Sequence, residues 1–81
     1  MPYIKKEDRF KWQNEPIVIP STAGELNYLI TKLCLAFAGD KPNYAKYNEI
    51  IGALECCKLE MYRRAVAPYE DTKIKENGDV Y

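Results

Sequence analysis

Histidine is absent from this 81-residue chain, and serine occurs once, at Ser21. Without histidine the commonest general base is missing, and neither a Ser-His nor a Cys-His nucleophile pair can be built. Ser21 sits where a helix begins, which accounts for it without chemistry. The four glycines do not cluster, so there is no phosphate-cradling loop and no dinucleotide fingerprint. Net charge is lacking too: twelve basic and twelve acidic residues cancel. No overall field therefore draws the chain to nucleic acid or to an anionic membrane. No run approaches the ~20 apolar residues of a membrane span, and the start lacks a signal-type apolar segment. The three cysteines, Cys34, Cys56 and Cys57, lack metal-ligand spacing, and the adjacent pair would diverge on a helix. These absences predict a non-enzymatic protein with no cofactor and no metal, soluble in a reducing cytoplasm.

What is present is apolar surface in a helical pattern. Hydrophobic residues make up 47% of the chain, yet a domain this short hides only about 60–65% of its unfolded surface. Residues 3–15 read as a short charged helix with Phe10, and in part Ile4 and Trp12, turned inward. Pro16-Ile17-Val18-Ile19-Pro20 reads as an extended arm, since each proline disfavours helix at the residue before it. Thr22 and Glu25 have capping-box spacing, and from there a second helix runs to about Ala38. Its stripe is Leu26, Leu29, Ile30, Leu33 and Phe37, while Tyr28 and Leu35 lie opposite. Gly39 suits a left-handed helix end, and Asn43 caps a third helix reaching about Ala67.

That third helix carries Tyr47, Ile50, Ile51, Leu54, Cys57 and Met61 on one face. Its back presents Ala45, Gly52, Cys56 and Leu59, small enough at Gly52 and Cys56 for another helix to come close. Pro68 is expected to end or kink it. A short segment then leads to a stop at Asn77-Gly78 and a docked tail, Val80-Tyr81. The reading is a single all-α domain over residues 1–81: three helices plus a short C-terminal helical segment. Two-sided helices in so small a chain predict a homodimer or larger assembly.

Recognition chemistry concentrates near the end of the third helix. Tyr62-Arg63-Arg64 offers planar forks that match phosphate or carboxylate, with a ring beside them for stacking. The bland alternative is that both arginines favour the helix's negative end and bridge Glu60 or the acidic stretch after Pro68. Lys58 falls within the apolar stripe, either snorkelling toward Glu55 or awaiting an anion. The predicted ligand set is Arg63, Arg64, Lys58, Tyr62, Tyr69 and Arg9, gathered at a subunit junction. The start of the third helix carries one lysine and one glutamate, which argues against a DNA-reading helix.

The runs Gly24-Glu25-Leu26-Asn27-Tyr28, Ile51-Gly52-Ala53-Leu54-Glu55-Cys56, Tyr62-Arg63-Arg64 and Pro68-Tyr69-Glu70-Asp71, with the ending Asn77-Gly78-Asp79-Val80-Tyr81, resemble a family of short proteins. That family, a domain of unknown function, occurs in phages, prophages and bacteria. The resemblance implies a phage setting and the host cytoplasm. By analogy of class it implies an anti-defence role, either sequestering an anionic nucleotide-type signal or binding a host protein as adaptor or inhibitor. It carries over no catalytic or binding residue.

Overall fold

The computed structural model describes residues 3–9, 12 and 18–81. Among these there are helices and turns and no strand. The elements are a 3-10 turn at Lys6–Asp8, α1 at Ala23–Ala38, α2 at Tyr44–Met61, a π segment at Tyr62–Val66 and α3 at Ala67–Asn77. The chain divides into two compact units, Met1–Phe37 and Ala38–Tyr81.

In the first unit the described residues of the expected opening helix form a 3-10 turn at Lys6–Asp8, and Trp12 is helical. The turn's amides bond locally, Asp8 N to Lys5 O at 2.8 Å and Arg9 N to Lys6 O at 3.3 Å. Phe10 and Ile17, assigned to the core and to the arm, lie outside the described residues. Val18-Ile19-Pro20 is non-helical, as the prolines require, and pairs with no described strand.

The start of α1 carries the expected capping box and extends it to Ser21. The Glu25 amide donates to Thr22 Oγ1 at 3.1 Å, as expected. The Glu25 carboxylate also accepts from Ser21, from its amide at 2.8 Å and its hydroxyl at 3.0 Å. Hydrogen bonds hold Glu25 below its ordinary value of 4.5: the Ser21 amide first, then the Ser21 hydroxyl, with the Thr22 amide adding to them against desolvation. After α1, Gly39 takes φ 77°, a left-handed conformation that side chains with a Cβ avoid.

In the second unit Asn43 caps α2, its side chain accepting from the Lys46 amide at 2.9 Å. The chain then stays helical from Tyr44 to Asn77, and the end or kink expected at Pro68 takes the form of a π segment just before it. The Ala67 amide donates to Tyr62 O, five residues back, so the turn before Pro68 is wider than an α turn. Proline's ring clashes with the carbonyl four residues earlier in an α-helix, and the wider turn relieves that crowding. At the end, the Gly78 amide donates to Ile74 O at 2.8 Å and Gly78 turns to φ 85°, the stop expected at Asn77-Gly78.

No described residue is buried. Leu33 and Leu35 on opposite sides of α1 are 71% and 67% exposed, and Ile51, Leu59 and Met61 on α2 are 64%, 56% and 62% exposed. Neither face of α2 is thus covered within the described chain, and nothing lies within 4 Å of a Cβ placed on Gly52. The tail corrects a further expectation: Val80 is 95% exposed and does not dock. Its only fixed feature is a local turn, with Tyr81 N donating to Asp79 Oδ1 at 3.0 Å.

Candidate functional site

The π segment carries three of the six residues singled out for ligand binding, and each has an intramolecular partner. Arg63 Nη2 lies 3.3 Å from Glu60 Oε2, and Arg64 Nε lies 2.8 Å from Glu60 Oε1. Two guanidinium groups thus share one carboxylate while their own side chains stay 70% and 65% exposed. Tyr62 donates its hydroxyl to Glu70 Oε1 at 2.6 Å. This contact spans eight residues, a separation that a regular α-helix would rotate off one face. The additional residue taken up by the π turn brings Tyr62 and Glu70 back into line across Pro68. The hydrogen bond to Glu70, then the negative charge of that carboxylate, then desolvation raise the Tyr62 phenol above 10.0.

Lys58 sits one turn earlier, 3.1 Å from Glu55 Oε1. An exposed pair of this spacing contributes about 0.2–0.5 kcal/mol. The lysine in the apolar stripe is therefore held at its edge, with its amine in water. The Tyr69 ring is engaged by Lys73, whose Nζ lies 5.5 Å from the ring centroid. Arg9 belongs to the other unit, where its Nε donates to Ile4 O at 2.9 Å. Lys58, Tyr62, Arg63, Arg64 and Tyr69 lie along one rod, the polar groups of the first four meeting neighbouring side chains and the Tyr69 ring meeting Lys73.

A second feature was not read from the sequence. Val18, Pro20, Thr22, Gly24, Glu25, Tyr28 and Leu29 line an open hollow of ≈ 490 Å³ at the start of α1. The signal for it was the proline-bracketed arm meeting a helix whose second residue, Gly24, has no side chain to fill the corner. Its walls are apolar apart from Thr22 and the Glu25 carboxylate, which Ser21 already occupies.

Among the described residues no group of three or more potential ligands is placed to hold a metal ion. Cys34, Cys56 and Cys57 are free thiols, Cys34 half-buried and the other two exposed. No described helix is long and apolar enough to cross a membrane. Neither a curated protein nor a solved structure shows significant similarity to the chain. Residues 1–80 match a family model, and the chain belongs to that family, the domain of unknown function DUF6899.

Proposed function

We propose that this is a non-enzymatic helical interaction protein that works by burying the exposed faces of its helices against partners, the first being a second copy of itself. One observation carries the reading: none of the described residues is buried, while leucines, isoleucines and Met61 stand uncovered on opposite sides of α1 and α2. Helices in water draw most of their stability from covering such faces. Covering one of these side chains contributes about 1.5–3 kcal/mol. Light scattering at micromolar concentration should report a mass of at least twice 9.4 kDa. A single well-folded 9.4 kDa particle overturns the proposal.

A second reading, an anionic nucleotide-type ligand held at a subunit junction, draws on the two guanidinium groups sharing Glu60. An incoming phosphate competes for forks already preorganised on one helix face. Tyr62 and Tyr69 supply rings, and Lys58 further charge. This is the anti-defence reading, set in the host cytoplasm of a phage-borne protein. Calorimetry with cyclic dinucleotides and ADP-ribose derivatives tests it. Heat of binding lost in Arg63→Ala and Arg64→Ala supports it; no binding leaves an adaptor or inhibitor of a host protein.

A further inference from the structure

We infer that the Tyr62–Glu70 hydrogen bond is a register lock: it selects the π turn before Pro68 over an α turn, and its release slips α3 by one residue against α2. The lock lies wholly within the second unit and acts whether or not the chain assembles.

Pro68 leaves the path of the chain open. Its ring crowds the carbonyl four residues earlier, and it has no amide to donate. A helix meets those two demands by ending, by kinking or by widening one turn. Proline by itself does not choose among the three. Here the turn is widened, with the Ala67 amide on Tyr62 O, five residues back. Since π turns are rare, something particular to this sequence has to favour that outcome.

The Tyr62 hydroxyl and the Glu70 carboxylate supply it, meeting at 2.6 Å across the widened turn. Eight residues of α-helix would leave them about 80° apart around the axis. With one residue absorbed they count as seven apart, about 20° from alignment. The bond therefore forms in the π register and is lost in the α register. Glu70 also passes over a nearer cation to make it. Lys73, three residues on, lies instead 3.1 Å from Glu76 Oε2 and 5.5 Å from the centroid of the Tyr69 ring. Between Met61 and Tyr81 the half-buried residues are Val66 and Ala67, both within the span of the bond. The shelter falls where the bond bridges the turn.

The same carboxylate has a second claimant in the other register. Arg63 stands seven residues before Glu70, so an unbroken α-helix brings those two within about 20° of each other. A one-residue slip thus hands Glu70 from the phenol to a guanidinium that rests on Glu60 in the π register. The slip turns α3 by about 100° relative to α2 and displaces it by about 1.5 Å. Tyr69 and Ile74, exposed on α3, then point to a different side of the rod. Two partners competing for one group make two discrete registers in place of a continuous bend.

Through-hydrogen-bond NMR coupling in the full chain reads the register. The Ala67 nitrogen should couple to the residue 62 carbonyl carbon in the π register and to the Arg63 carbonyl carbon in the α register. Pro68→Ala removes the crowding and adds an amide and helix propensity, so the rod stays folded. With the lock in place, that variant should keep the coupling to residue 62. Adding Tyr62→Phe, or adding Glu70→Ala, should abolish it and give the coupling to Arg63, a slip of one residue. Pro68→Ala alone slipping to Arg63 overturns the lock, because proline then sets the register and the bond only follows. A coupling to residue 62 that survives in either double variant overturns it as well. So does a helix broken at Ala67 in either, with neither coupling present.

Discussion

The two units hold their helices by different means. In the second, local chemistry is dense: Asn43 caps the start, and Glu55–Lys58, Glu60 with Arg63 and Arg64, and Lys73–Glu76 tie neighbouring turns. In the first, α1 has only Glu25 and Lys32 as charges, with no basic residue in its last turn. It relies on the Ser21-Thr22-Glu25 start and otherwise on leucine, isoleucine and phenylalanine side chains that stand exposed. A helix with many local pairs tolerates exposure. One that is mostly apolar gains little until something covers it.

The sharpest way to break this contrast is to remove apolar surface from α1. Leu33→Lys with Leu35→Lys should cost roughly 3 kcal/mol of stability, at ~1.5 kcal/mol per leucine, seen as loss of helical signal. Equal stability in the double variant would mean that α1 needs no cover. A smaller effect comes from the two helix starts. Asn43→Ala and Thr22→Ala should each cost about 1 kcal/mol by urea unfolding. Amide exchange should localise the first to α2 and the second to α1. The smallest effect is acid sensitivity confined to α1. Because folding holds Glu25 below 4.5, its contribution is present above that value and is lost as pH falls through the lowered one. Protection of the α1 amides should therefore fade in that window, and Glu25→Gln should abolish the dependence. The Tyr62 phenol, raised by Glu70, has the opposite sign: its contribution is complete below pH 10.0 and is lost on titration above it.

The boundaries that rest on one residue were legible in the chain. Gly39 and Gly78 adopt the positive φ that their places at helix ends demanded, and Asn43 caps as its type and position suggested. Pro68 marked where the α-helix is disturbed, because proline crowds the preceding α turn; only the backbone path beyond Met61 revealed that a wider π turn takes its place. The arginines were found by residue type, but not that both would settle on Glu60, since i,i+3 and i,i+4 partners compete until rotamers are fixed.

Composition, periodicity and capping residues were enough to determine an all-helical protein with apolar residues on two sides of its helices. These are local properties, set within a turn or two of each residue. The continuous passage through Pro68, the Tyr62–Glu70 bond across it and the exposed tail depended on how turns and side chains were finally arranged. Each joins residues whose alignment changes with a single inserted position in the helix, and spacing alone leaves that position unspecified.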